Sequence, residues 1–215
     1  MFSFKSLAVF STLAFGALSV MASPVLNNVH HNNVETEVNP VVVARCDTCK
    51  SVPAIFAGVT ADVKVHVDAL AAFTPATCTV EAVTGIVADI KVILSGAILD
   101  VKALAGASAE VILGTDVEVK VDVIAKVVAD LCILIFGAIG VVLNLGIGAT
   151  ITAIIPILCG LGEVLGALVC AVLSVCGHLF VGLDVAILAL IKVCVSVILK
   201  LNVSLFISVL GVVAL

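Results

Sequence analysis

Apolar residues recur every three or four positions through the first half of the chain, at 52, 56, 59, 63, 67 and 70, then 83, 87, 90, 94, 98 and 101, then 117, 121, 124, 128 and 131. That step is the period of one face of an α-helix, and each run is longer than the roughly five or six residues of an ordinary strand. A competing pattern exists: 59–68 and 117–123 alternate apolar with polar, and their many valines favour extended chain. Helical spacing, however, sets Asp62 beside His66, Lys64 beside Asp68, Asp116 beside Lys120 and Asp122 beside Lys126 as i,i+4 neighbours. The expectation is therefore all-α.

Start and stop signals agree with helices. Ser51 precedes Pro53, and Thr115 with Glu118 forms a capping box in which hydroxyl and carboxylate satisfy exposed N–H groups. Stops are expected near Thr74 and Pro75, at Gly106 and at Gly114. A short echo, Ala-Asp-Val-Lys-Val at 61–65 and Ala-Asp-Ile-Lys-Val at 88–92, suggests two related helices. Two copies do not make a solenoid.

Beyond residue 130 the periodicity drowns in apolar residues. Residues 131–162 carry no formal charge, and 164–183 add another uncharged stretch interrupted only by His178. Each is long enough to cross a bilayer, which takes about 20 apolar residues, so two or three transmembrane helices are allowed. A third stretch, 185–215, contains Lys192 and Lys200. No Tyr or Trp is present to anchor a span at the interface. The other outcome is a hairpin or bundle that is hydrophobic nearly all round and buries itself in an assembly or at an interface. Gly162 and Gly166 have the small-xxx-small spacing of close helix contacts.

The front of the chain reads as an address. Residues 1–22 combine Lys5, an apolar stretch and small residues ending in Ala22, the layout of a secretory signal peptide. Residues 23–45, rich in Asn with His30, His31, Glu35 and Glu37, form a polar arm or pro-segment. Adjacent histidines there are more simply a solvated tail than a metal site. The organisation is thus 1–22, 23–45, an acidic amphipathic region at 46–130 and a hydrophobic region at 131–215.

Composition sharpens this division. Of the 215 residues 63% are hydrophobic and 12% charged, about half the usual charged share, and the mean hydropathy is +1.40. Residues 23–130 hold thirteen Asp and Glu against seven Lys and Arg, whereas 131–215 balance Glu163 and Asp184 against Lys192 and Lys200. The protein is an amphiphile along its length. A net charge of −5 with scattered cations argues against a nucleic-acid partner. The expected partners are other copies of the chain, an apolar interface, wall polymer or lipid.

Candidate chemistry is sparse. The eight cysteines, Cys46, Cys49, Cys78, Cys132, Cys159, Cys170, Cys176 and Cys194, are disulfide candidates in a secreted chain, with the pairing open; the later ones are equally suited to an apolar core as thiols. Cys46 and Cys49 have redox or zinc spacing without the strand–helix context or second Cys pair that either needs. Asn202-Val203-Ser204 is the sole glycosylation sequon. Glu163, His178 and Asp184 would make a proton relay only if brought together; with Lys192 and Lys200 they are more simply helix ends or exposed edges. No Ser-His-Asp, Cys-His or paired-carboxylate constellation stands out, so no enzyme, cofactor or metal is expected.

The signal peptide, polar arm, Cys pair leading into Ser51-Val52-Pro53-Ala54-Ile55-Phe56, acidic helices and a Gly-, Leu- and Val-rich second half containing Ser204-Leu205-Phe206-Ile207-Ser208 resemble a family of small secreted hydrophobic proteins of mushroom-forming fungi. The resemblance covers nearly the whole chain through layout and composition. It implies a structural role at the hyphal surface or cell wall, in aerial growth and attachment. Hydrophobins, which also carry eight cysteines, require two Cys-Cys doublets; no two cysteines here are adjacent. The expected function is a non-enzymatic surface amphiphile that self-assembles at apolar or air–water interfaces, the alternative an integral membrane protein with an extracellular acidic domain.

Overall fold

In the computed structural model, residues 50–114, 121–145 and 149–210 are described, and all their regular structure is helical. The helices are α1 (Val52–Ala71), α2 (Val80–Ala103), α3 (Ala109–Leu113), α4 (Val121–Leu145), α5 (Ala149–Cys176), α6 (Leu183–Leu190), α7 (Val195–Leu201) and α8 (Ser204–Leu210), with a 3-10 turn at Ile191–Cys194 between α6 and α7.

The 3.6-residue stripe becomes the core. Val52, Phe56, Val59, Val63, Val67 and Leu70 of α1 are all buried, as are Val83, Val87, Ile90, Leu94 and Val101 of α2, with Ile98 half-buried beside buried Ala97. The strand-like alternation of 59–68 therefore lies within a helix, whose buried stripe takes Val59, Val63 and Val67 and leaves Val65 exposed while the helix satisfies the backbone. The echo falls in equivalent register: Val63 and Ile90 point inward while Asp62, Lys64 and Asp89 are exposed.

Local signals set the ends. Ser51 occupies the N-cap position of α1 without a side-chain cap bond, and Pro53 sits in the first turn. Thr79 caps α2, its hydroxyl accepting from the Ala82 N–H at 3.2 Å. Gly106, at φ 80°, follows α2, and Gly114, at φ 91°, ends α3; both angles suit glycine. The Thr115–Glu118 capping box and the Asp116–Lys120 pair lie outside the described residues.

Packing is that of a bundle. α1 lies between α2 and α4, α2 packs along α5, and α4 also touches α5. The α6 helix and the 3-10 turn lie on α4, while α7 and α8 lie mainly on α5. Helix α5 is thus wrapped by α2, α4, α7 and α8, which accounts for apolar residues nearly all round it. The Phe136 and Phe206 rings, 5.2 Å apart at 78°, lock α4 to α8 edge to face.

The charge-free stretch 131–162 is not one element. Helix α4 begins at Val121 and crosses the composition boundary at residue 130, because Asp122, Lys126 and Asp130 fall on its exposed stripe and leave the opposite face free for the core. Among the described residues three helices are long and apolar enough to cross a membrane: α2, α4 and α5.

Candidate functional site

Helix α4 has two unlike faces. Ile124, Ala125, Val128, Leu131, Cys132, Ile135, Ile139 and Val142 are buried. Its outward stripe starts polar with Asp122, Lys126 and Asp130, turns apolar at Ile133, Gly137 and Val141, and ends at Asn144. Opposite the apolar part stand exposed Leu190 (45%) and Val193 (73%), while Val181 (95%) and Val185 (65%) extend the apolar surface along α6.

Hollows separate α4 from the segment that lies on it. One of about 530 Å³ is lined by Lys126, Ala129, Asp130, Ile133, Ala186 and Leu190, among others. A second, about 280 Å³, has Ile133, Phe136, Gly137, Val141, Val193 and Val197 in its wall. A third, about 180 Å³, is lined by Gly140, Leu143, Asn144, Ser196, Val197 and Lys200. The second and third share Gly140, Asn144 and Val197. Small residues at Ala125, Ala129, Gly137 and Gly140 leave this space open.

Glu163 is placed differently from the expectation of a helix end or edge. It lies in the middle of α5 and accepts hydrogen bonds from the Ser204 N–H at 2.6 Å, the Ser204 hydroxyl at 2.9 Å and the Leu205 N–H at 3.4 Å. A carboxylate there satisfies the open donors of α8 and faces the positive end of that helix. Close approach is possible because α5 offers glycines: a Cβ added at Gly162 would lie 2.7 Å from Val203, and one at Gly166 would lie 2.7 Å from Leu205. The small-xxx-small pair thus serves a contact within this chain.

His178, Asp184, Lys192 and Lys200 are exposed, at the turn after α5, the first turn of α6, the 3-10 turn and the last turn of α7 respectively. Among the described residues no hydrogen bond or ion pair links them to Glu163. Two expected surface pairs are exchanged for others. His66 stands 3.8 Å from Asp89 across the α1–α2 contact rather than pairing with Asp62, and Lys126 binds Asp130 at 2.8 Å rather than Asp122. Lys64 and Asp68 do pair, at 3.2 Å.

Cys78, Cys132, Cys159, Cys170, Cys176 and Cys194 are present as thiols, and none of the six is joined to another. Burial pushes the Cys194 thiol above its ordinary range. Cys46, Cys49, His30 and His31 lie outside the described residues. Among the described residues no three His, Cys, Asp or Glu side chains gather as metal ligands. Asn202 is exposed in a left-handed turn (φ 52°, ψ 47°) that ends α7, but Val203 is buried and Ser204 is held by Glu163.

Sequence reasoning missed the Thr79 cap, signalled only by a Thr two residues before Glu81, and the partner of Glu163, which no local pattern could reveal. No family model, no curated protein and no solved structure matches this chain.

Proposed function

We propose that this chain is a non-enzymatic membrane protein in which α4 and α5 cross the bilayer and the acidic α1–α2 region stays on the aqueous side. The observation that carries this reading is the pair α4 and α5, of 25 and 28 residues, each long and apolar enough to span. About half of their most apolar stretches, 50% for α4 and 44% for α5, is buried within the protein, which leaves the remainder for other apolar surroundings. Helix α2 meets the same length criterion but carries Asp89 and Lys91 near its middle, a costly position in hydrocarbon. The α1–α2 hairpin packs on α4 and α5 through its buried stripe, so insertion would require lipid to displace it. Glu163 fits such a span because α8 supplies donors to its carboxylate.

The test is expression of the tagged full-length chain in a secreting fungal host, followed by alkaline carbonate extraction of membranes. Carbonate-resistant protein is expected. Recovery in medium, wall or the carbonate wash overturns the reading.

A second reading, the self-assembling surface amphiphile implied by the fungal resemblance, is favoured by one observation. Val181, Val185, Leu190 and Val193 are exposed on one segment and form an apolar surface on the folded bundle, to which α1 and α2 add Val65, Val92 and Leu99 among their outward charges. Adsorption would follow from burying that surface at about 25 cal/mol per Å². Full-length protein that lowers the surface tension of water and stays in the wall fraction would support it; protein that remains monomeric and surface-inactive would defeat it.

A further inference from the structure

The two hollows beside the second half of α4 differ in chemistry. The larger is walled by Ile133, Phe136, Val141, Val193 and Val197 over a floor at Gly137. The smaller ends in Asn144, Ser196 and Lys200, and no acidic residue lines either one. They share Gly140, Asn144 and Val197 in their walls, so an apolar slot lies beside a smaller hollow whose lining carries Asn144, Ser196 and one cation, Lys200. Lys200 makes no ion pair among those found in the described residues, whereas Lys126, at the far end of the groove, is already held by Asp130.

We propose that this paired hollow binds one single-chain amphiphile with an anionic head, a free fatty-acid carboxylate, its chain along Ile133, Gly137 and Val193 and its head at Asn144, Ser196 and Lys200. The match is one of charge and length. From Ile133 to Asn144 the helix rises about 16 Å, the reach of a medium acyl chain, and the space is of the scale of small-molecule sites, roughly 300–1,000 Å³. The apolar wall takes the chain without an unmet polar group, and the ammonium of Lys200 with two neutral polar neighbours suits a carboxylate. This deepens the membrane reading by naming a lipid class.

The experiment uses full-length protein, in buffer or in native membranes, with a diazirine-bearing fatty acid as photolabel and dodecanoate or dodecanol as competitor. Label is expected on peptides containing 133–144 and 190–200. Gly137→Leu sets its Cβ in open space, since nothing lies within 4 Å of it there, and its longer side chain occupies the slot, which should cut labelling at least tenfold. Lys200→Gln should abolish the preference for dodecanoate over dodecanol while leaving dodecanol competition unchanged. Label scattered over α2 and α5, or labelling unaffected by Gly137→Leu, overturns the proposal. So does a Gly137→Leu protein whose loss of label follows a changed oligomeric state, because the slot then belongs to a second copy. Carbonate resistance without specific label would leave the spans standing and remove the site; specific label on carbonate-extractable protein would do the reverse.

Discussion

The Glu163 carboxylate and the Ser204 N–H, 41 positions apart, lie 2.6 Å from one another, and this bond with the 2.9 Å bond from the Ser204 hydroxyl fixes α8 on α5. Hydrogen bonds to charged groups contribute about 1.5–3 kcal/mol, so Glu163→Ala should lower the unfolding free energy by about that amount. Glu163→Gln, which keeps one acceptor oxygen, should lose less. Urea titrations followed by circular dichroism give both values; equal, negligible losses would mean that the cap contributes nothing to stability.

Two glycine-to-alanine substitutions should have opposite signs. Gly85 of α2 has nothing within 4 Å of an added Cβ, so Gly85→Ala should stabilise by up to about 1 kcal/mol through helix propensity. Gly166 of α5 would bring its Cβ to 2.7 Å from that of Leu205, and overpacking of this kind costs about 1–3 kcal/mol. Gly166→Ala should therefore destabilise, with hydrogen exchange accelerating first in 203–210.

Leu94 and Leu99 sit on the same helix with 0% and 70% exposure. Leu94→Ala should cost about 2–5 kcal/mol in the water-soluble bundle. Leu99→Ala should stay within about 0.5 kcal/mol, as exposed substitutions do. Similar costs at both sites would place the α2 stripe in a different register.

Cysteine reactivity should follow the packing. The Cys194 thiol, raised by burial, holds less thiolate at pH 8 than an unperturbed cysteine, so its alkylation by iodoacetamide should lag and gain rate as the pH rises. In the bundle in aqueous buffer, half-exposed Cys159 and Cys170 should be modified earlier, whereas insertion of α5 in a bilayer would shield both. Timed labelling read by mass spectrometry checks the order, and early modification of Cys194 would contradict its burial.

The stripes of α1 and α2 were legible because one periodic signal decides both the helix and its inward face, as Val63 and Ile90 illustrate. The bounds of the long apolar helices were not, since counting charge along the chain ignores the side of the helix on which it falls. Asp122, Lys126 and Asp130 begin a helix that the charge count assigned to the other region. His66 and Lys126 chose partners other than those expected because exposed pairs are worth little and are settled by neighbouring elements. The neighbouring hollows were hidden for a related reason: Gly137 lines one and Lys200 the other, and only the fold, through Gly140 and Val197, sets the two side by side.

The wrapping of α5 gives synthesis a deadline. Glu163 and the glycines beside it leave the ribosome without the α8 segment that satisfies them, and at about 5–20 residues per second the intervening 41 positions take roughly 2–8 seconds to follow. During that interval α2 and α4 are already available to pack on α5, but the side of α5 that α8 covers stays open. If α4 and α5 insert as we propose, lateral release into lipid competes with the arrival of α8, so slowing translation between residues 176 and 204 should favour the bilayer.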